Sequence, residues 1–394
     1  MYGGDEVSSL VFDIGTFNAR FGYSGEDSPK FVFQSQIGTS KNGNVFVGEN
    51  DLRFFKNGIK MSSPLNNQGF IENIDAFEVM INNVYTKCLK TESKDHPVLF
   101  SEPGIHNKEN RNQLVQLMFE KFQIPAIFTC KSPVLSAFSC GRSTALIFDS
   151  GHNTTWASTV HDGYVLYKSQ IKYDIGGSTI NDKLMKILLN KGTKITPHYR
   201  FNKISKDDGT FSTEYLDEDF FNDVDPQYEA FWKNEIIRDI KETSLTFSEN
   251  ADSIIYELPD GLNVELNNER KEILDSMFEQ NKNVPGFNGF QYMVHDAISK
   301  ADIDIKKDLY SNIFATGGNT VFPDFTEKFN RVLNTLAPNN VKVKVLSHPT
   351  SLEKKLSAWI GGSILSSLGT FHQIWFSKQE YEEHGSVLIE RKCA

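Results

Sequence analysis

The clearest pattern in the chain is an apolar run that stops at an aspartate, turns through a glycine and resumes with alternating apolar residues. It first occurs at residues 10–22, where the run ends at Asp13, and it recurs at residues 145–157, where the run ends at Asp149. Each copy predicts two antiparallel strands joined by a tight turn. Two copies so far apart predict two similar halves that face each other across a cleft.

The rest of the chain alternates between strand and helix patterns. Apolar residues recur at helical spacing over residues 75–89, with Asp75 as the expected N-cap, and again over residues 107–122. Between these helices, residues 96–103 have the composition of a short buried strand. This alternation predicts an α/β fold with a mixed sheet in each half.

Two stretches interrupt the alternation. Residues 38–44, rich in glycine and asparagine, predict a short exposed connection, and residues 193–234 predict a long polar one, with helical spacing returning at 231–242. Within the second stretch, residues 207–229 hold nine acidic residues and no lysine or arginine. A solvated surface insert is the preferred interpretation of this charge run, and a site for basic partners such as histones is the alternative.

The turn of each hairpin has groups suited to phosphate binding. In the first copy, the backbone N–H groups around Gly15 and Thr16 are predicted to face a phosphate tail, with the Thr16 hydroxyl and Arg20 as further donors. The Asp13 carboxylate suits a hydrated divalent cation. Taken alone, an aspartate before a glycine turn is more often only a turn signal, because both residues satisfy turn backbones without a ligand. The second copy, and a third glycine turn at 317–318, make the phosphate hypothesis more specific.

Composition limits the class of protein. With 394 residues and 39% hydrophobic content, the chain is long enough for two lobes of one α/β body. No run is apolar enough for a membrane span, and the polar, acidic start of the chain lacks the features of a secretory leader. Four scattered cysteines without metal-binding spacing fit a reducing compartment. The net charge of −10 argues against nucleic-acid binding, sequence-specific binding included, and favours protein partners.

Motifs along nearly the whole chain resemble those of actin. They lie in both hairpins, in the second half and in the C-terminal region, at residues 11–15, 148–151, 238–242, 256–261, 303–310, 359–365, 377–381 and 391–393. Within the actin superfamily, four further segments are similar to a nuclear class of actin-related proteins, namely residues 2–7, 23–27, 317–320 and 367–371.

The resemblance implies an actin-like fold, in which two ribonuclease-H-like lobes surround a nucleotide cleft. Residues 1–139 and 356–394 would form the first lobe. Residues 140–355 would form the second lobe, with the acidic insert at about 193–234.

The resemblance further implies that ATP binds in this cleft with Mg²⁺ or Ca²⁺ as a structural cofactor, and that Asp13 and Asp149 face the metal. The implied nucleotide-binding residues are Asp13, Gly15, Thr16, Arg20, Asp149, Gly151, Asn153, Gly177, Lys241, Glu242, Gly317, Gly318, Phe322 and Lys355. Two positions differ from actin: Phe17 replaces a glycine that lets the turn approach the phosphates, and His152 replaces a second cleft aspartate.

The same resemblance predicts that ATP hydrolysis is absent or very weak, so no catalytic residue is assigned. In actin a glutamine and a histidine position the attacking water, and Ser132 and Trp156 stand at those positions here. Serine is too short to reach across a cleft, and an indole can donate but not accept. A register shifted by one residue would bring His152 or Thr155 toward the water instead.

As a member of the nuclear class, the protein would be a non-polymerising subunit of chromatin-remodelling and histone-acetyltransferase complexes, serving transcription regulation and DNA repair. The expected partners are actin, other subunits and the helicase-SANT-associated helix of a remodelling ATPase. The expected location is the nucleus, with some protein in the cytoplasm. The groove for this helix is implied to be lined by Phe138, Gly141, Ser143, Leu365 and Leu368.

Two other functions remain open. A filament-forming cytoskeletal actin with ATPase activity uses a long mobile loop that inserts into the next subunit, whereas only eight residues separate Gly38 from Val47 here. A small-molecule kinase of the same superfamily needs a carboxylate base beside its substrate hydroxyl, and no motif identifies one. The structural subunit is therefore preferred.

Overall fold

The computed structural model describes residues 8–55, 57–207, 209–249, 252–369 and 371–393. The motif at residues 2–7 lies outside the described residues, and so does Thr370 in the last of the quoted motifs.

The strands form two large sheets and three small ones. In chain order they are β1 (Leu10–Ile14), β2 (Asn18–Tyr23), β3 (Phe31–Gln34), β4 (Ile37–Thr39), β5 (Val45–Val47), β6 (Lys60–Ser62), β7 (Val98–Glu102), β8 (Ala126–Lys131), β9 (Ala145–Ser150), β10 (Thr155–His161), β11 (Tyr164–Tyr173), β12 (Phe201–Ser205), β13 (Phe211–Tyr215), β14 (Ile254–Glu257), β15 (Asn263–Leu266), β16 (Ile313–Thr316), β17 (Val345–Leu346) and β18 (Phe376–Ser377).

Helices separate most of these strands. They are α1 (Gly48–Leu52), α2 (Ile74–Asn83), α3 (Lys108–Gln116), α4 (Ser132–Ser139), α5 (Gly177–Asn190), α6 (Pro226–Ser244), α7 (Glu269–Asp275), α8 (Phe290–Lys300), α9 (Ile303–Ser311), α10 (Phe325–Leu336), α11 (Ser351–Ser366), α12 (Lys378–His384) and α13 (Ile389–Lys392). π-helical segments at Val84–Leu89 and Leu117–Lys121 extend α2 and α3. Across the described part of the chain, no helix has the length and apolar character that a membrane crossing requires. The predicted α/β architecture is confirmed.

The first large sheet contains the first hairpin. Its strand order is β18–β8–β7–β1–β2–β3, with β1 antiparallel to β2 and parallel to β7. Leu10, Val11 and Phe12 are fully buried, so the apolar run is the core-facing part of the strand. Beyond it the chain turns, and Asp13 lies opposite Arg20 on β2. The apolar pattern therefore places this hairpin correctly.

The second large sheet repeats this arrangement. Its order is β11–β10–β9–β16–β17, with β9 antiparallel to β10 and parallel to β16. Asp149 near the end of β9 lies opposite Trp156, just as Asp13 lies opposite Arg20. Each large sheet thus presents an aspartate at the same place in an equivalent hairpin.

Helix α11 connects the C-terminal region to the first sheet. The buried Trp359 indole N–H donates to the Val11 carbonyl at 3.0 Å. At Gly361 a Cβ atom would lie 1.7 Å from the Leu135 carbonyl oxygen, so only glycine allows α11 to approach α4 this closely. Strand β18 then pairs with β8. The residue bounds of the two lobes stay a prediction.

Two local assignments from sequence were wrong. The helix expected over residues 75–89 has Asn73 as its N-cap, because the Asn73 side-chain oxygen accepts from the Ala76 N–H at 3.0 Å, and Asp75 lies in the first turn. The connection expected from Gly38 is also shorter, because Gly38 pairs with β5 and β6 inside the sheet β5–β4–β6.

The acidic segment is more ordered than the predicted polar connection. It contains the hairpin β12–β13, and α6 begins at Pro226, with Asp225 as its N-cap, rather than at residue 231. Glu229 pairs with Arg200 at 2.5 Å and with Lys233 at 2.6 Å. Part of the charge run is therefore neutralised within the fold.

Aromatic residues of this segment pack against residues of helix α1 and strand β6 and of the chain between them. We call this contact the outer clasp; its buried members are Leu52, Ile59, Met61, Tyr199, Phe221 and Tyr228. The Tyr228 hydroxyl donates to the Leu52 carbonyl at 3.0 Å, and the rings of Phe55 and Tyr199 stack with centroids 4.7 Å apart. Leu52 and Tyr228, which are 176 positions apart in the chain, are thereby held in contact.

Candidate functional site

A cavity of about 390 Å³ lies between the two hairpins, a size usual for small-molecule sites. Charged groups of both signs face it. The cationic ones are Arg20, Arg238, Lys241, Lys354 and Lys355, and the acidic ones are Asp13, Glu102, Asp149 and Glu242. We call it the inner cavity.

The two hairpin turns have the same backbone geometry. The Gly15 N–H donates to the Asn18 carbonyl at 2.9 Å, and the Gly151 N–H donates to the Thr154 carbonyl at 2.9 Å. These two amides close their own turns, so the prediction that the Gly15 N–H faces a phosphate was wrong. The Gly15 and Gly151 N–H groups are therefore not available to a ligand while these turns are closed.

The glycine turn after β16 holds the second hairpin in place. Gly317 has φ of 92°, and a Cβ there would lie 2.4 Å from the Ser150 carbonyl oxygen and 2.5 Å from an Asp149 carboxylate oxygen. The neighbouring Asn319 amide donates to the Ser150 hydroxyl at 3.0 Å and to the Gly151 carbonyl at 2.8 Å. The backbone can approach Asp149 only because position 317 lacks a side chain.

Asp13 and Asp149 face the cavity from opposite hairpins. Arg20 pairs with Asp13 at 2.8 Å. The pKa of the Asp149 carboxyl is raised to about 6, chiefly by burial and then by the Asp13 carboxylate, against the opposing charge of Arg20. A cation between the two carboxylates would remove this repulsion.

This donor set fits a hydrated Mg²⁺ or Ca²⁺. Among the described residues no three His, Cys, Asp or Glu side chains converge on one point, so a metal here would rest on Asp13, Asp149, water and ligand oxygens. Mg²⁺ in particular is usually held by one or two carboxylates together with substrate phosphates and water.

Helices α6 and α11 supply the cations of the far wall. Lys241 is buried and donates to the Gly177 carbonyl at 3.3 Å; its pKa is lowered to about 8, chiefly by burial, with Arg238 and Lys355 lowering it and Glu242 raising it. Glu242 pairs with Lys355 at 3.1 Å and with Arg238 at 3.5 Å. An anionic ligand would relieve the repulsion among these three cations.

The two residues that the resemblance aligns with actin's water-orienting side chains also lie on the wall. Ser132 and Trp156 both line the cavity. The Trp156 indole N–H donates to the Thr154 hydroxyl at 3.1 Å, and the Lys172 ammonium lies 5.5 Å from the ring centroid. Thr155 is buried and donates to the Ile175 carbonyl at 2.7 Å, so the alternative in which it faces the water was wrong.

Phe17 and His152, the two positions that differ from actin, contact each other across the cleft. Their ring centroids are 4.6 Å apart, and the Arg238 guanidinium lies 5.6 Å from the Phe17 centroid. The pKa of His152 is lowered to about 4, first by burial and then by Lys241 and Arg238. The imidazole is therefore neutral at physiological pH.

A family model described as Actin matches residues 4–394 of the chain. The chain belongs to the actin family. The resemblance expected from the motifs is thus confirmed, and the actin-like α/β fold with it.

Full-length relatives share the name Actin-related protein 4. The chain is 35% identical to the Arabidopsis thaliana protein over 444 residues and 36% identical to that of Oryza sativa subsp. indica over 447, with 100% of each chain covered. It is 32% identical to the Schizosaccharomyces pombe (strain 972 / ATCC 24843) protein over 437 residues, covering 100% of this chain and 99% of the relative.

In this actin-family chain, the structure brings together every implied nucleotide-binding residue except one. Those on the cavity wall are Asp13, Gly15, Thr16, Arg20, Asp149, Gly151, Gly177, Lys241, Glu242, Gly317, Gly318, Phe322 and Lys355. Asn153 is not among them, because it lies at the tip of the turn and its amide donates to Asn67 at 3.3 Å. Arg238, Asn319 and Lys354 were missed, although Arg238 precedes Lys241 by one helical turn.

The low pKa of His152 predicts a pH effect on stability. An ordinary histidine takes up a proton near pH 6.5, and folded His152 does so only near pH 4, so its contribution is complete above pH 6.5 and is lost as the pH falls toward 4. Within this window the unfolding free energy should fall by up to about 1.4 kcal/mol per pH unit from this residue. His152→Phe, which keeps a ring beside Phe17, should remove that slope in urea titrations of ligand-free protein.

The matched control for this titration is His384→Gln, at an exposed position, which should keep the wild-type slope. Equal slopes in wild type and His152→Phe would contradict the burial of a neutral imidazole.

Proposed function

We propose that this actin-family protein is a nuclear, non-polymerising structural subunit of chromatin-remodelling and histone-acetyltransferase complexes. It holds ATP with Mg²⁺ or Ca²⁺ and scarcely hydrolyses it. The observation that carries the nucleotide part is the inner cavity, in which two equivalent Asp hairpins face each other while Ser132 and Trp156 occupy the water-orienting positions.

The arrangement of charges supports ATP rather than a neutral ligand. When bound, ATP would supply the phosphate oxygens that complete the shell of a metal at Asp13 and Asp149. Thr16 and Arg20 line the cavity, where their side chains would contact phosphates, and Lys241 and Lys355 lie on the wall formed by α6 and α11. Filling the site would stabilise the folded protein by linkage.

The side chains of Trp156 and His152 support the proposal that ATP hydrolysis is weak. A water attacking phosphorus needs a positioned group that accepts its proton, and the most effective group has a pKa near the operating pH. The Trp156 N–H is committed to Thr154 and accepts nothing. His152 faces the cavity, but its pKa of about 4 makes it a weak base. Neither Trp156 nor His152 is therefore an effective proton acceptor for the water, and Asp149, whose pKa is about 6, is assigned to the metal in this proposal.

Restoring actin's residues tests this account. In Ser132→Gln/Trp156→His the attacking water regains an orienting amide and an imidazole, so phosphate release from γ-labelled ATP should rise by at least about tenfold over wild type. Single-turnover assays with pre-bound ATP measure the change, and Ser132→Gln alone is the matched control. Wild-type turnover as fast as that of actin, measured in parallel, would contradict the proposal.

The short loop between β4 and β5 supports the proposal that the protein does not form filaments. Strands β4 and β5 are joined by a closed turn in which the Ser40 N–H donates to the Asn44 carbonyl and the Gly43 N–H to the Ser40 carbonyl, each at 2.9 Å. Such a turn offers no long segment to a neighbouring subunit. A filament needs a repeated head-to-tail contact, so the loss of one half of it stops propagation.

The ends of α4 and α11 support the proposed docking of a helix. Ile364 and Leu368 are 41% and 44% exposed, and Leu365 is partly buried against the first sheet's core. Phe138 lies in α4, and Gly141 and Ser143 follow it. Apolar side chains left at a surface suit the apolar face of an amphipathic helix. Actin and the helicase-SANT-associated helix of a remodelling ATPase are the proposed partners.

A charge on this surface should disrupt docking without unfolding the protein. We expect Leu368→Asp to reduce co-purification of the remodelling ATPase and actin at least tenfold, because the carboxylate would have to be desolvated against an apolar helix. Affinity purification with quantitative mass spectrometry measures the loss. The control is Leu352→Asp, at a 60% exposed position in the first turn of α11, the helix that ends just before Leu368. Unchanged recovery with Leu368→Asp would place docking on another face.

A further inference from the structure

A second cavity, the outer chamber, lies on the other side of the Phe17–His152 contact. Its volume is about 400 Å³, and Thr16, Phe17 and His152 line both it and the inner cavity. Met61 of the outer clasp and Phe231 of α6 also line it. The Phe17–His152 contact is therefore a wall shared by two cavities.

Two buried carboxamides in the outer chamber have an unpaired oxygen. The side chains of Gln34 and Asn181 both line it, and these residues are only 3% and 5% exposed. Neither side-chain oxygen has a hydrogen-bond partner among the described residues. A buried acceptor without a donor is unfavourable, because no hydrogen bond compensates for its loss of water. Both residues line the chamber, and a rotation of either carboxamide would turn its buried oxygen toward a donor placed there.

The chamber is also acidic. Its described lining contains Asp182 and Glu235 but no lysine or arginine. Glu235 is already neutralised, because Arg238 donates to its two oxygens at 3.2 and 2.7 Å. Asp182 has no ion pair within the described chain, and burial raises the pKa of its carboxyl above the ordinary value. A bound cation would stabilise the ionised form of Asp182.

We propose that the outer chamber is a second binding site, one that takes an alkyl guanidinium or primary ammonium group. The oxygens of Gln34 and Asn181 accept its N–H groups, and Asp182 balances its charge. The rings of Phe17 and Phe231 provide surface against which the planar guanidinium packs. The site goes beyond the proposed function and needs no nucleotide in the inner cavity.

The group can come from an arginine or lysine side chain of a protein or from a free small amine. N-acetyl-arginine-N-methylamide represents the first source and agmatine the second. N-acetyl-citrulline-N-methylamide has nearly the same shape without the charge. All three are titrated at constant ionic strength into the full-length protein carrying ¹³C-methyl methionine.

Met61 reports on binding inside the chamber, since its side chain lines the wall and Met61→Leu identifies its signal. We expect a saturable shift of this signal with a cationic probe and none with the citrulline probe. A response to the arginine amide points to a protein side chain as the source, and a response to agmatine alone points to a free amine. Either result supports the site.

Variants test the assigned contacts. Asp182→Asn should weaken binding about tenfold, and Gln34→Leu/Asn181→Leu should abolish it while leaving the fold intact, since it removes unpaired buried oxygens. Asp304→Asn, at an exposed position on α9, should change nothing. No saturable Met61 shift, an equal shift with the citrulline probe, or unchanged affinity in Asp182→Asn would each overturn the proposal.

Discussion

The structure of the cleft depends on two carboxylates that face the same cavity. Asp13 and Asp149 are brought there by equivalent hairpins, and the repulsion between them contributes to the raised pKa of Asp149. Arg20 balances one of them, and Gly317 provides the backbone space that the other requires. The cations of α6 stand on the far wall and repel one another in the absence of an anion. A divalent cation would reduce the repulsion between the two carboxylates, and an anionic ligand would reduce the repulsion among the cations. This is the physical basis for the proposed nucleotide site.

Closure of the cleft does not rest on a ligand alone. The outer clasp buries aromatic side chains from the acidic segment against Leu52 and Met61, and the Phe17–His152 contact lies between this clasp and the inner cavity. These contacts are largely apolar or aromatic, so they persist at high salt better than surface ion pairs. A ligand in the inner cavity would therefore be enclosed by two contacts, the Phe17–His152 contact and, beyond it, the outer clasp. Enclosure of this kind suits a ligand that stays bound rather than one that is exchanged after each round of hydrolysis.

The two hairpins of the site could be predicted from the sequence pattern because their signal is local, whereas Gly177, Lys241, Glu242, Phe322 and Lys355 were implied only by the resemblance to actin. A run of apolar residues that ends at an aspartate and a glycine turn specifies a hairpin wherever it occurs, so Asp13 and Asp149 were placed correctly. Asn153 was misplaced because residues at a turn tip can point to either side, and its amide contacts Asn67 instead. The acidic segment was misjudged because its many carboxylates favoured a solvated insert over the strand alternation of Phe211, Thr213 and Tyr215. The outer clasp and the unpaired oxygens of Gln34 and Asn181 depend on contacts between distant segments, which periodicity does not report.

Direct identification of the bound nucleotide tests the central claim. Protein purified from its own cells without added nucleotide is denatured, and the released nucleotides are separated and quantified against the protein. A retained structural ligand predicts close to one nucleotide per chain, predominantly intact ATP, after a purification lasting many hours. Predominantly ADP would contradict retention without hydrolysis. An empty protein that also fails to bind added ATP with Mg²⁺ or Ca²⁺ would contradict the assignment of the inner cavity itself.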